Sequence, residues 1–250
     1  MFKNRVAAAL PGRLFVPAKY WYNRLARMVE PELAYVRSLV SDGRAVDVGA
    51  NKGVYTYEMW RQGWTVEAFE PVPECADLLI DWASVNVSVN VHQVALSSKS
   101  GSSELFVPLR PDGRLEDALA SLERSSALET RRSILVQTRT LDSFNFDDVR
   151  IIKIDVEGHE RAVMDGARET IRKCAPVLLI EIEQRHSRDA KITDLFAEIK
   201  AIGYSGFYLS NEGRRSIQEF SPDRDQPVGG SVNASNYINN FIFTPAKPNR

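Results

Sequence analysis

Four hydrophobic stretches of the chain each end in an acidic residue, and these carboxylates are the groups best suited to chemistry. They are Asp47, Glu70, Asp155 and Glu181. An unpaired carboxylate is costly to bury, so packing alone gives no reason to place one at the end of each buried strand. In an open α/β sheet, ligands bind beyond the carboxyl ends of the strands. The pattern therefore predicts a ligand site where these strand ends meet.

A glycine-rich turn follows the first of these acids. Gly49 and Gly53 flank residues 50–52, and glycine lets a backbone approach a ligand closely where a Cβ would collide. The helix that follows presents unpaired N–H groups at its start. Glu70 comes 23 residues after Asp47, where a carboxylate can accept hydrogen bonds from both hydroxyls of a ribose. The turn and the acid together predict an adenosine-containing cofactor.

A second polar motif occupies residues 153–160. Lys153 and Asp155 lie two residues apart and therefore share one face of a strand. Asp155 and His159 are the leading candidates for a catalytic base, and Glu157 comes next. Lys153 could lower the pKa of a neighbouring group. The alternative for His159 is a side chain that only makes hydrogen bonds at the start of a helix.

Strand-like and helix-like patterns alternate along the chain, which predicts a parallel sheet covered by helices on both faces. We expect strands at 45–48, 66–69, 87–95, 104–107, 134–138, 149–155, 177–182 and 240–243. Helices are expected at 32–40, 53–62, 73–85, 160–173 and 192–202. A hairpin should pair 204–209 with 216–220 through a turn at 211–213.

The domain organisation follows from the same patterns. Residues 1–43 are interpreted as an N-terminal helical lead-in and residues 44–250 as one domain. The polar stretch 108–133, with helical periodicity over 115–128, interrupts that domain. An insert of this length is typical of a lid or substrate loop, and the alternative is a surface excursion with no role. The aromatic residues 20–22 should cover an edge of the core or rim a substrate pocket.

Composition narrows the possible function classes. The formal net charge of the 250 residues is −1, so the chain as a whole is not drawn to nucleic acid or to an anionic membrane. No apolar run reaches the roughly 18 residues that span a bilayer, and the run at 6–10 is too short for a signal peptide. Cys75 and Cys174 form no disulfide pattern. We therefore expect a cytoplasmic protein with reduced thiols.

Seven short motifs occur in order along residues 44–183, and the most specific is the Asp-Val-Glu-Gly-His-Glu segment at 155–160. They occupy residues 47–53, 69–71, 94–97, 141–142, 152–160, 166–167 and 176–181. Together they resemble the FkbM family of S-adenosylmethionine-dependent methyltransferases. The resemblance implies a class I methyltransferase fold, which is Rossmann-like. This fold is a seven-stranded, mostly parallel sheet with an antiparallel strand near the C-terminus and helices on both faces.

The resemblance also implies a cofactor and a reaction. The cofactor is S-adenosylmethionine, and the reaction is O-methylation of a hydroxyl on a sugar, glycan or polyketide-like small molecule. The loop at 49–53 would pass beneath the methionine part, Glu70 would hold the ribose and Ala95 would lie near the adenine. The cofactor-binding residues implied in this way are Asp47, Gly49, Asn51, Gly53, Glu70 and Ala95.

Three alternatives stay open at this point. A divalent metal could be bound by Asp155, Glu157, His159 and Glu181, but no spacing among them demands one, and we expect none. A nicotinamide-dependent oxidoreductase would use Glu70 equally well, although the 49–53 loop lacks the G-x-G-x-x-G spacing and no separate substrate domain is evident. The third alternative is a non-catalytic module that keeps the methyltransferase fold.

Overall fold

The computed structural model describes residues 10–26, 30–109, 120–123, 131–186, 191–227 and 236–246. These residues form eleven strands in chain order. They are β1 (Arg44–Val48), β2 (Thr65–Phe69), β3 (Val89–His92), β4 (Ala95–Leu96), β5 (Gly101–Pro108), β6 (Arg131–Arg139), β7 (Val149–Ile154), β8 (Val177–Glu181), β9 (Tyr204–Ser210), β10 (Gly213–Ser216) and β11 (Asn240–Pro245).

Eight of these strands form the central sheet, in the order β10-β9-β11-β8-β7-β1-β2-β3. The pairs β1–β2, β1–β7, β2–β3 and β7–β8 are parallel, whereas β11 runs antiparallel to both β8 and β9. This arrangement confirms the predicted class I methyltransferase architecture. The difference is one additional strand, because β10 pairs with β9 and extends the sheet to eight strands.

Helices cover both faces of the sheet, as predicted. Side chains alternate between the faces along each strand, so Val46 and Ile152 pack on one side while Ala45 and Ile151 pack on the other. The first face carries the helices Glu160–Asp165, Arg168–Cys174 and Ile192–Ala201, and the second carries Gly12–Leu25, Pro31–Ser38, Val54–Arg61 and Pro73–Ala83. A short helix, Pro222–Asp225, precedes β11.

A second, three-stranded sheet has the order β4-β6-β5. The predicted insert leaves this sheet between the antiparallel strands β5 and β6. Most of the expected 115–128 helix lies outside the described residues, and the part that is described, 120–123, is not helical. Ser121 instead exchanges two backbone hydrogen bonds with Phe106 of β5, at 2.8 and 3.0 Å.

The helix predicted over 160–173 is two helices in the structure. Gly166 lies at the break, against the backbone of Ser97, and a Cβ on Gly166 would fall 2.1 Å from the Ser97 carbonyl oxygen. The second helix begins where the Asp142 carboxylate accepts hydrogen bonds from the backbone N–H groups of Glu169, at 3.1 Å, and Thr170, at 2.8 Å. A long-range contact and a cap supplied from another segment therefore divide the helical pattern.

Two further predictions of local structure are wrong in detail. The strand expected over 87–95 is divided into β3 and β4, which belong to different sheets. The second hairpin strand is β10, and the Ile217–Glu219 segment is a 3-10 turn because the Ser216 hydroxyl caps it.

Of the lead-in aromatics, Tyr20 is buried while Trp21 and Tyr22 are exposed. No helix within the described ranges combines the length and apolarity needed to cross a bilayer.

Candidate active site

The carboxyl ends of β1, β2 and β7 open onto a cleft of about 240 Å³. Eight of the ten site residues predicted from the sequence line this cleft. They are Asp47, Gly49, Asn51, Glu70, Ala95, Lys153, Asp155 and His159. Glu157 and Gly53 do not line it. The ends of separate strands therefore bring Asp47, Glu70 and Asp155 to one cleft, whereas Glu181, the fourth acid of the pattern, does not line it. The roles of these residues stay predictions.

The turn after β1 is held against the end of β7. Gly49 has φ +77°, and a Cβ there would lie 1.9 Å from the Asp155 carbonyl oxygen, so only glycine fits. Gly53 also has a positive φ, but it faces the side chain of Leu79 rather than the cleft. Its predicted contact with a cofactor stays a prediction.

Glu70 is buried and oriented by the backbone on both sides. Its Oε2 accepts a hydrogen bond from the Asn51 N–H at 2.6 Å, and its Oε1 accepts one from the Val72 N–H at 2.8 Å. Each carboxylate oxygen can accept more than one hydrogen bond, so these contacts orient the group without excluding a diol. A ligand diol would therefore meet a carboxylate that is already positioned.

An apolar wall stands beside Glu70. Its side chains come from the end of β2, from β4 and β5, and from residues 120–123. They are Phe69, Val94, Ala95, Leu96, Leu105, Ala120 and Leu122. An apolar wall in the same cleft as the oriented carboxylate of Glu70 suits a ligand that has a flat apolar part joined to a diol.

A buried lysine lies at the floor of the cleft. The Lys153 side chain is 1% exposed, and its Nζ lies 3.4 Å from Asp155 Oδ2 and 3.9 Å from Glu181 Oε2. The same ammonium group is 5.1 Å from the ring centroid of Tyr55. Lys153 Nζ makes no hydrogen bond to any residue that the structure describes. It is therefore a buried cation at the cleft, beside two carboxylates.

The charge of Lys153 is maintained by the acids around it. Burial lowers the pKa of Lys153, but the neighbouring carboxylates of Asp155, Glu181 and Asp47 raise it more, and the pKa is held above its usual value. The ammonium is therefore protonated at neutral pH. Asp47 itself accepts a hydrogen bond from Thr56 Oγ1 at 2.5 Å, and burial raises the pKa of Asp47 to about 6.

Glu157 faces away from the cleft, towards His186. Its Oε2 lies 3.1 Å from His186 Nδ1, and its backbone has φ +51°. Burial, together with the charges of Asp155 and Glu183, raises the pKa of Glu157 to about 9. The raised pKa favours the neutral form of Glu157, which is unsuited to accepting a proton.

His159 lines the cleft, and both of its ring nitrogens have protein partners. Nδ1 lies 2.8 Å from Glu123 Oε1, and Nε2 lies 2.9 Å from Ser97 Oγ. Ser97, Glu123 and Tyr55 are not among the site residues that the sequence predicts. Ser97 ends one of the recognised motifs, whereas Glu123 is one of several acids in a polar insert and carries no local signal.

Within the described ranges, no group of three or more His, Cys, Asp or Glu side chains is arranged to hold a metal ion. The cation between Asp155 and Glu181 is the ammonium group of Lys153. These two acids, which we considered as metal ligands, therefore already have a positive charge between them.

Comparisons with known proteins give a family for this chain. A family model described as the Methyltransferase FkbM domain matches residues 47–205, which is more than half of the chain. No curated protein matches. Among solved structures, methyltransferase FkbM from Methylobacillus flagellatus KT is 19% identical, with a TM-score of 0.49. That match covers 82% of this chain and 45% of the other, so the chain spans less than half of that protein's length.

An O-methyltransferase from Bacillus cereus, solved in complex with SAH, is 14% identical to this chain, with a TM-score of 0.46. That match covers 94% of this chain and 90% of the other. Precorrin-6y C5,15-methyltransferase from Geobacter metallireducens GS-15 is 13% identical, with a TM-score of 0.44, and the match covers 85% of this chain and 86% of the other.

Proposed function

Because the chain belongs to the FkbM methyltransferase family, we propose that it is an S-adenosylmethionine-dependent O-methyltransferase. Its acceptor is a hydroxyl of a sugar, a glycan or a polyketide-like small molecule. One observation carries the proposal. The Lys153 ammonium and the Asp155 carboxylate lie side by side, with Nζ 3.4 Å from Oδ2, in the same cleft as the oriented carboxylate of Glu70.

The residues of the cleft fit the cofactor. Glu70 accepts hydrogen bonds from the two ribose hydroxyls, and the apolar wall beside it takes the adenine. The 49–53 turn follows the methionine part. Asp47 and Asp155 place negative charge near the positive sulfur, which favours binding of a sulfonium.

The chemistry requires the acceptor oxygen to lose its proton as it attacks. S-Adenosylmethionine supplies a methyl group that the positive sulfur has already activated. Asp155 accepts the proton from the acceptor hydroxyl. Lys153 stays charged and stabilises the negative charge that develops on the oxygen. The walls of the cleft hold the acceptor in line with the methyl carbon, and such alignment contributes several kcal/mol.

Binding experiments distinguish this function from the oxidoreductase alternative. The purified protein is titrated with S-adenosylhomocysteine and, separately, with NAD⁺ in a calorimeter. We expect S-adenosylhomocysteine to bind and NAD⁺ not to bind. The reverse result would overturn the proposal.

Turnover is tested by following release of S-adenosylhomocysteine over a panel of glycosides and hydroxylated macrolides. We expect release with at least one hydroxylated acceptor and none with its O-methylated form, which also excludes the non-catalytic alternative. Asp155→Asn should lower turnover by about 10²- to 10⁴-fold, as expected for loss of a general base. Asp147→Asn is the control, since Asp147 is exposed and lies outside the cleft. Full turnover by Asp155→Asn would refute the assignment.

We propose a small-molecule or glycan acceptor rather than nucleic acid because the net charge is −1 and the cleft is rich in carboxylates, which repel phosphates. The cytoplasmic location stays a prediction.

A further inference from the structure

We propose that His159 is a positioning residue for the cofactor. It holds a short strap, residues 120–123, in place as the outer wall of the adenine subsite. The inference rests on the proposed function, because it concerns the cleft in which S-adenosylmethionine is expected to bind. It assigns a role to Ser97, to the strap and to Glu123.

The strap is attached to the rest of the protein at three points. Ser121 exchanges two backbone hydrogen bonds with Phe106 of β5, and its Oγ donates a hydrogen bond to the carbonyl oxygen of Glu157 at 2.6 Å. Glu123 Oε1 lies 2.8 Å from His159 Nδ1. The strap therefore joins the small sheet to the segment that follows β7.

The His159 ring links the strap to the floor of the subsite. Its Nε2 lies 2.9 Å from Ser97 Oγ, and Ser97 directly follows β4, whose two residues line the cleft. Because Nδ1 faces a carboxylate, Nδ1 carries the hydrogen, and Nε2 accepts the hydrogen bond of the Ser97 hydroxyl. The side chain is only 12% exposed. Both nitrogens are thus engaged in a link between two parts of the protein.

The strap contributes apolar surface to the cleft. Ala120 and Leu122 line it together with Ala95, Leu96 and Leu105. Apolar area removed from water contributes roughly 25 cal/mol per Å², so a wall against the adenine raises affinity for the adenosine half of the cofactor. If the strap became ordered only when the cofactor binds, the conformational entropy lost by the strap would reduce the binding free energy. The Glu123–His159 contact supplies the ordering in advance.

The test measures binding, so it does not depend on knowing the acceptor. Calorimetric Kd values for S-adenosylhomocysteine and for 5′-methylthioadenosine, which lacks the amino-acid part, are compared in the wild type and in Glu123→Gln, His159→Ala and Leu122→Ser. We expect Glu123→Gln to weaken both ligands by about 3- to 10-fold, which is the effect of losing about 1 kcal/mol at a hydrogen bond to a carboxylate. His159→Ala, which removes both contacts of the ring, should weaken them more. Leu122→Ser should also weaken them, because it alters the wall directly.

The factor should be the same for both ligands, because the strap faces the adenosine half. A general distortion of the site would reach the 49–53 turn and weaken S-adenosylhomocysteine more than 5′-methylthioadenosine. Glu74→Gln is the matched control. The Glu74 side chain is 54% exposed and Glu123 is 55% exposed. Glu74 likewise contacts a basic side chain, Arg132, but it lies outside the cleft. We expect wild-type Kd values for this variant.

Each outcome separates the two proposals. If the wild type fails to bind S-adenosylhomocysteine, the proposed function fails. If the wild type binds it while Glu123→Gln and His159→Ala bind both ligands as tightly, the positioning role alone is refuted. The positioning role is also refuted if His159→Ala binds S-adenosylhomocysteine as tightly as the wild type but loses turnover, because that result would identify His159 as a catalytic base.

Discussion

Replacing Glu70 with glutamine tests the cofactor site at its most specific contact. The carboxylate accepts the N–H groups of Asn51 and Val72 through different oxygens. Glutamine keeps the size of the side chain but replaces one oxygen with an NH₂ group and removes the charge. One backbone N–H then faces a donor, and a ribose hydroxyl loses a charged acceptor.

The size of the effect follows from these contacts. A hydrogen bond to a charged group contributes about 1.5–3 kcal/mol, so loss of one ribose contact should raise the Kd for S-adenosylhomocysteine by roughly 10- to 150-fold. The N–H that loses its acceptor should also lower the free energy of unfolding by about 1–3 kcal/mol. Both quantities are measured on the same sample, by calorimetry and by urea unfolding.

Glu67→Gln is the matched control for this variant. Glu67 lies on β2, the strand that Glu70 directly follows, and is similarly buried, but its carboxylate contacts Arg44, Asn90 and His92 outside the cleft. The control should destabilise the fold while keeping the wild-type Kd. The reasoning is refuted if Glu70→Gln binds S-adenosylhomocysteine within about 3-fold of the wild type, a difference of less than 1 kcal/mol.

Three other variants test separate parts of the structure. Lys153→Met should lower the rate of methyl transfer at least about 100-fold, because the acceptor oxygen loses its stabilising cation. The rate is measured as release of S-adenosylhomocysteine, and an unchanged rate would contradict this role of Lys153. Burial raises the pKa of Glu32 from 4.5 to about 7, so ionisation destabilises the fold as pH rises from 4.5 to 7. The free energy of unfolding of Glu32→Gln should therefore equal that of the wild type at pH 4 and exceed it at pH 8, by at most about 3 kcal/mol in urea unfolding. An equal difference at both pH values would show that ionisation of Glu32 does not affect stability. Asp142→Ala removes the carboxylate that caps the Arg168–Cys174 helix and should lower the free energy of unfolding by about 1–2 kcal/mol. An unchanged midpoint of urea unfolding would show that this cap does not stabilise the fold.

Much of the fold could be predicted because its signals are local. The buried strand β1 and the glycine turn after it are adjacent in the chain, and alternating strand and helix patterns imply parallel crossovers. The meeting of Asp47, Glu70 and Asp155 at one cleft follows from the same logic, since parallel strands place their carboxyl ends on one edge.

The errors lie where a distant segment overrides a local pattern. The helical periodicity over 160–173 continues through Gly166, and the break comes from the contact of Gly166 with Ser97. The Leu141-Asp142 motif has no evident purpose in the sequence. Its role appears only when Asp142 is seen to bind the N–H groups that begin a helix more than twenty residues later.

The class of fold, the position of the cleft and eight of the residues that line it could therefore be read from the chain alone. Only the tertiary structure decided what those residues can do. Protonation depends on burial and on neighbouring charges, which raise the pKa of Lys153 and so favour its charged form, and raise the pKa of Glu157 and so favour its neutral form. The contact of His159 with Glu123 joins residues 36 positions apart. Such pairings depend on how the segments pack together, and no local pattern in the chain encodes them.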